Sequence, residues 1–267
     1  PSHELVSGAG IIPLIRFQDS AGPVARTVTD AAIILAAIDN RQVDYASGLD
    51  ARALEGIPAG VLRAVLAAAD AAHSGEWLTL IDQGLAKAKA VSRDVTLRRD
   101  VELMPVIALG LSQDTLGYMA GAGVQVKSLE ELQAYNAAKP GSRIPRGQNI
   151  VDLAVQIVAA VLKDASVSES SAGKVYEALA LKERAKTAAS LAKTFADNKV
   201  EVLVSLSHTH SEMYATAGYP AITVPLGLDS GGTPNGVTFI ARPGEDAKLL
   251  AWAYAFEQAT HYRRPPA

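Results

Sequence analysis

Apolar residues recur at helical spacing over 28–38, where Val28, Ala31, Ala32, Leu35 and Ile38 share one face. Thr27 stands ahead of that run with Asp30 three residues on, a capping-box-like start with Asp in place of Glu. The same period predicts a helix over about 76–91, with Leu80, Leu85 and Ala88 inward, and helices over 149–162 and 172–196. In the last of these Glu183 precedes Thr187 rather than a Lys, so its surface reads as ordinary solvated helix. Residues 105–136 are helical in character but interrupted by Gly110, Gly117, Gly121 and Gly123. Ser128 with Glu131 forms a capping box for SLEELQAYN. A closing amphipathic helix runs from Glu245 to Thr260 with Leu249, Leu250, Ala253 and Phe256 inward.

Strand signals lie between these helices. Residues 200–206 (VEVLVSL) are rich in β-branched side chains, and 56–62 (GIPAGVL) make a second, shorter run. A third strand is expected at 94–103, where the alternation fails at Arg98-Arg99 and suggests a bulge or an edge. Ile222–Pro225 and Val237–Ile240, joined through Gly227 to Gly232, predict a hairpin. Residues 5–15 read as a short extended segment broken by Gly8 and Gly10. Gln18 to Pro23 carries turn chemistry, with Gly22-Pro23 fixing the turn, and 140–147 is a loop. Mixed strands and helices favour an α/β fold, a mixed β-sheet covered by helices.

Composition narrows the function classes. Hydrophobic residues make up 49% of the 267 positions and charged residues 20%, enough to bury a sizeable core. The net charge of −3 is spread without a basic stripe, which argues against nucleic acid as partner. Cysteine is absent, so disulfides, thiolate metal sites and a cysteine nucleophile are excluded. No run of about twenty uncharged apolar residues is present, so a membrane span is not expected. No targeting segment is visible, which points to the cytoplasm.

Three groupings invite a chemical reading. Glu169-Ser170-Ser171-Ala172-Gly173 pairs serines beside a glycine but fits a Ser-capped helix start. Asp229-Ser230-Gly231-Gly232 fits the hairpin turn. His208 and His210 offer alternate imidazoles to a metal, but a third ligand cannot be identified, and polar loop histidines are the simpler reading. No metal and no cofactor is expected.

Two stretches carry a resemblance: GIIPLIRFQDSAGPVARTVTDAA over 10–32 and AGYPAITVPLGLDSGGTPNGVTFIARPGEDAKLLAWAYAFEQA over 217–259. Both resemble motifs of the amidase-signature family, in the family's order, and SLEELQAYN and 199–205 are more weakly similar. The resemblance implies amide hydrolysis, of a small amide or a peptide amide, by a serine–serine–lysine relay. The relay removes the nucleophile's proton while glycine-flanked N–H groups hold the oxyanion. In the family those groups precede the GIIP motif on a lysine segment and a GGSSGGS-like loop, and no segment of this chain matches that loop. Pro1-Ser2 is similar to the tail of the family's K-P-T/S. The expectation is therefore that residues 1–267 are the C-terminal part of one amidase-signature domain, incomplete at its N-terminal side. Its catalytic half would be absent and the chain alone inactive.

By the same resemblance Phe17, Gln18, Asp19 and Ser20 are pocket-wall candidates; the alternative is a buried turn in which Asp19 caps backbone amides. Gly22, Pro23, Arg26, Gly218 and Pro220 read as structural, Arg26 through a nearby carboxylate or carbonyl. The expected partners are the amide substrate, the N-terminal half of the same enzyme and, with sheet edges exposed, a second copy of the chain. Stand-alone amidases, including peptide amidases, fit the RPGEDAKLL helix start better than the A subunit of a tRNA-dependent amidotransferase does. A non-catalytic binding or assembly half is the third alternative.

Overall fold

The computed structural model describes residues 1–39, 41–63, 74–164 and 171–264. In chain order come α1 (Val28–Ile38), β1 (Pro58–Leu62), α2 (Ser74–Lys87) and β2 (Val91–Val95). There follow α3 (Leu103–Gly110), a π-helical turn (Leu111–Thr115), α4 (Leu116–Gly121), α5 (Leu129–Ala137), α6 (Pro140–Arg143) and α7 (Asn149–Asp164). Next are α8 (Ala172–Asn198), β3 (Val202–Leu206), α9 (Ser211–Ala217), β4 (Ala221–Leu228), β5 (Pro234–Ile240) and α10 (Asp246–Thr260). These elements fall into two compact units, one of residues 1–7, 20–100 and 186–267, the other of residues 8–19 and 101–185.

The first unit holds a mixed 5-stranded sheet in the order β2-β1-β3-β5-β4. β1 runs parallel to both β2 and β3, whereas β5 is antiparallel to β3 and to β4. β3 is buried at every position, which is why its run VLVSL carries no polar alternation. Val61, Val204 and Phe239 share one core with Leu35 of α1, Trp77 and Ile81 of α2, and Phe256 of α10. Phe239 and Phe256 meet edge to face at 5.3 Å between ring centres. Thr27 caps α1 through Oγ1, 3.0 Å from the Asp30 amide, as its sequence signals. The Val28 amide instead finds the Glu257 carboxylate of α10 at 3.1 Å, a partner 229 residues away. Asp246 likewise spends its carboxylate on the Ser2 amide at 2.7 Å and the Ser2 hydroxyl at 2.5 Å.

Behind α1, buried Asp39 accepts from the Arg41 guanidinium and the Tyr45 hydroxyl. The Arg41 hydrogen bonds draw the Asp39 carboxyl down to about 2. α9 ends on Gly218 at φ 75°, whose amide bonds Ala215 O while the Tyr219 amide bonds Tyr214 O. That 6→1 and 5→2 pairing closes the helix, and Pro220 follows where the helix cannot continue. Gly218→Ala should lower stability by about 1 kcal/mol, read from urea unfolding, because a Cβ disfavours the left-handed region.

In the second unit, Ile15, Val106, Leu109, Tyr176 and Ala180 form one core, and Ala108, Leu116, Leu129 and Ala154 another. Gly110 admits a backbone approach that a side chain would block: a Cβ there would lie 2.4 Å from Leu14 O. Ser128 caps α5 at the Glu131 amide, 3.2 Å away, but the Glu131 carboxylate returns to the Lys127 amide rather than to Ser128.

Several sequence expectations are corrected. The strand expected at 94–103 is the earlier β2, an edge strand exposed at Val91 to Asp94, and α3 starts at Leu103. Three consecutive charges at Arg98–Asp100 leave the ladder, and Pro105 sits in the first helical turn, where its missing N–H costs nothing. Residues 5–15 form no strand, only the isolated bridge Val6–Asp39. The turn placed at Gln18–Pro23 lies at Arg16–Gln18, and 21–25 has no turn. Gly22 serves close approach instead: a Cβ there would lie 2.8 Å from Pro1 Cδ. Within the 140–147 loop sits the short α6. Glu183 and Thr187 are fully buried, not solvated. The Glu183 carboxylate accepts from the Glu102 amide at 3.0 Å, so the inward face of α8 is partly polar, which an apolar period does not register. Glu169-Ser170 lie outside the described residues.

Candidate functional site

The residues singled out around 17–20 sit on a strap, Pro13 to Asp19, that the second unit grips at several points. Thr115 Oγ1 donates to Pro13 O at 2.6 Å. Asp19 Oδ2 accepts from the Leu14 and Ile15 amides at 2.7 and 2.9 Å, so this carboxylate organises the strap's own backbone. The central clamp is Asp114, which takes the Arg16 amide on Oδ2 at 2.7 Å and Arg16 Nη1 on Oδ1 at 2.6 Å. Tyr176 donates its hydroxyl to the same carboxylate. Asp114 is carried on the π-helical turn, a local widening of the helix that recurs at functional positions.

The electrostatics follow from burial. The Asp114 side chain is 3% exposed and its charge is met by Arg16, which is half exposed. Burial, and then the carboxylate it donates to, push the Tyr176 hydroxyl well above its ordinary value, so it remains a neutral donor. The Arg16 guanidinium also lies over the Phe17 ring, 4.4 Å from its centre, and Phe17 meets Tyr176 edge to face at 5.3 Å. Arg184 Nη1 holds Phe17 O at 3.2 Å. With both Asp114 oxygens occupied, the clamp fixes geometry rather than moving protons.

Phe17 and Gln18 on the strap are both half-buried. Gln18 Nε2 is buried and has no hydrogen-bond partner among the described residues. Asp19 is exposed at its surface but engaged through Oδ2. Ser20 is exposed, without a hydrogen-bond partner among the described residues, and belongs to the first unit.

The remaining sequence candidates fall elsewhere in the first unit. Gly22, Pro23 and Arg26 line a cavity of about 490 Å³ together with Val24, Thr223, Leu249, Glu257 and Arg263. The sequence expectation for Arg26 is corrected: its side chain is exposed and has neither carboxylate nor carbonyl partner among the described residues. Gly218 and Pro220 terminate α9 as described above.

Both histidines of the pair lie in the turn 207–210, as the loop reading expects, but they differ in burial. His210 is only 1% exposed, and its Nδ1 lies 2.7 Å from Ser205 Oγ. Burial, then the nearby Arg99 cation, lower the imidazole to about 4, so it is neutral at pH 7. Ser205 is fully buried, so this serine–imidazole contact is closed to any substrate. His208 bonds the Ser207 hydroxyl instead, and no group of three or more metal-ligating side chains occurs among the described residues. Neither Asp114 nor the Ser205–His210 contact was visible in the sequence. Asp114 lies 98 residues from Arg16, and the sequence marked that stretch only as helical and interrupted by Gly110 and Gly117.

Among the described residues no helix is long and apolar enough to cross a membrane. No family model matches the chain. A probable amidase of Arabidopsis thaliana is 28% identical over 286 residues, covering 100% of this chain and 53% of the relative. The A subunit of the glutamyl-tRNA(Gln) amidotransferase of Moorella thermoacetica is 26% identical, over 99% of this chain and 59% of that protein. The native peptide amidase of Stenotrophomonas maltophilia superposes with a TM-score of 0.79 at 27% identity, over 100% of this chain and 58% of its own. The chain thus spans between about half and three-fifths of the length of the relatives it matches.

Proposed function

The chain is a homologue of the amidase-signature proteins, and from that premise we propose that it is the scaffold and pocket-wall portion of an amide hydrolase. The reaction is hydrolysis of a small carboxylic or peptide amide to acid plus ammonia or amine. A serine–serine–lysine relay on polypeptide ahead of Pro1 performs the cleavage. Phe17, Gln18, Asp19 and Ser20 wall the acyl side of the substrate. In this reading Phe17 offers an apolar surface, Gln18 lines the pocket beside it, and Asp19 holds the strap in shape. Gly22, Pro23, Gly218 and Pro220 are structural, and Arg26 belongs to the cavity of the first unit.

The observation that carries this reading is the superposition of the whole of this chain on 58% of the Stenotrophomonas maltophilia peptide amidase. Supporting it, Ser205 is enclosed with His210, and the Asp114 carboxylate is saturated by its donors. The amidotransferase A subunit remains the second reading, favoured by the Moorella thermoacetica relative. Amide substrates discriminate the two: a peptide amidase portion supports release of ammonia from peptide C-terminal amides, an amidotransferase portion from glutamine.

The purified 267-residue chain is expected to hydrolyse neither substrate and to resist a fluorophosphonate probe. Stoichiometric labelling of one serine, or ammonia release that a Ser205→Ala variant abolishes, would place a nucleophile inside this chain and overturn the reading.

A further inference from the structure

We infer that the corner where α5 runs into α6 is a docking site for an acidic peptide segment, one that carries at least two carboxylates beside an apolar residue. The corner belongs to the second unit, and the inference stands apart from the function proposed above. Four observations lead there.

The first is an imbalance of charge. Residues 132–151 contain no Asp or Glu but carry Lys139, Arg143 and Arg146, in a chain whose net charge is −3. The carboxylates on either side of that stretch are engaged elsewhere. Glu131 returns to the Lys127 amide, and Asp152 accepts from Gln133 Nε2 at 2.6 Å. Lys139 and Arg146 are exposed, and their side chains have no hydrogen-bond or ion-pair partner among the described residues.

The second is that the middle cation is held in place. The Arg143 guanidinium lies over the Tyr135 ring, 3.4 Å from its centre, and its Nη1 donates to Tyr135 O. That oxygen is one of the last carbonyls of α5, so the arginine also closes the end of the helix. Nε and Nη2 are left without a partner among the described residues. A guanidinium already fixed by stacking loses less freedom on meeting a carboxylate than a free side chain does.

Third, the backbone sets a second cation beside the first. The Arg143 amide bonds Lys139 O at 3.0 Å, the link of one helical turn, which puts the two side chains on the same face. Fourth, apolar surface accompanies the charge. Tyr135 is 52% exposed, and Ile150 is 56% exposed in the first turn of α7, which the Gln133–Asp152 bond ties to α5.

The occupant follows from these groups. The Arg143 fork takes a carboxylate in a paired geometry, Lys139 and Arg146 add point and fork charges beside it, and Tyr135 and Ile150 offer contact to an apolar side chain. Nucleic acid fits less well. The cations are confined to residues 139–146 rather than strung along a track for a phosphate backbone, and Arg143 already covers a face of the Tyr135 ring. A lipid surface would call for a longer amphipathic face than this corner provides.

The test is fluorescence anisotropy of a labelled peptide of Asp, Glu and Leu titrated with the 267-residue chain, beside a peptide in which Asn and Gln replace the acids. The acidic peptide should bind about tenfold more tightly or better, and rising salt should weaken it. Arg143→Glu should weaken binding about tenfold or more, and Lys139→Glu and Arg146→Glu about threefold or more each. Arg143→Lys keeps the charge but loses the fork, so it should weaken binding too. Arg98→Glu, the same change of charge in the first unit, should leave binding as it is. Lys139 and Arg146 are exposed, so their variants should keep the parent's far-UV circular dichroism and carry the test if an Arg143 variant misfolds. Equal affinity for the two peptides, or as large a loss in Arg98→Glu as in the corner variants, overturns the inference. So does tighter binding of a single-stranded oligonucleotide or of phosphatidylserine vesicles, which would assign the corner to that class instead.

Discussion

Acidification from pH 6.5 to about 4 should strip about 3 kcal/mol of stability from the chain through one side chain, His210. The imidazole is enclosed between β3 and α9, with Ser205 Oγ on Nδ1 and the Arg99–Glu212 pair nearby. Its folded value lies below its unfolded one, so the unfolded chain takes up a proton first as pH falls. Stability is therefore complete above 6.5, declines by about 1.4 kcal/mol per pH unit through the window, and levels off below about 4. Asp39 acts lower: its folded value of about 2 lies under the ordinary 3.8, so its contribution is lost only as pH falls through that lower interval. Urea unfolding at a series of pH values separates the two. His210→Asn should reduce stability at pH 7 and flatten the slope between 6.5 and 4. A variant with the parent's slope would show that another group titrates there.

Asp114→Ala should cost about 3 kcal/mol and release the strap that presents Phe17 and Gln18. The substitution leaves the Arg16 amide and the Tyr176 hydroxyl without their acceptor, and the guanidinium without its counter-charge. Tyr176→Phe removes one donor and leaves the carboxylate paired with Arg16, so its cost should be about 1 kcal/mol. Amide hydrogen exchange gives the local readout. Protection at Arg16, Gln18 and Asp19 should fall more in Asp114→Ala than the global loss of stability explains, because the last two bond Ile15 O within the same strap. Uniform loss of protection across the second unit would mean that Asp114 supports the core rather than the strap.

The helices were legible where their determinants are neighbours in sequence. α1 begins at the residue after Thr27, as the cap and the first apolar position require, and the 237–240 strand pairs with 222–225 as the flanking turn residues imply. Exposure was less legible. Glu183 in an Ala/Lys-rich helix and His210 in a polar turn look like surface residues, yet both are buried, Glu183 against the Glu102 amide 81 residues away and His210 against Ser205 of β3. The strand expected at 94–103 failed for a related reason: alternation at Val95 and Leu97 reflects two buried side chains, not a continuing ladder.

By itself the sequence determined the main helices, the buried strand at 202–206 and the hairpin of β4 and β5, and its two motifs pointed to the amidase-signature proteins. Spacing, caps and turn residues act over a few positions, so they survive in a linear reading. Tertiary structure alone decided which strand is an edge, that Glu257 completes the start of α1, and that Asp114 rather than a nearer residue locks Arg16. Those choices depend on desolvation and on hydrogen-bond partners brought together from 98 to 229 residues apart, and no local pattern encodes them.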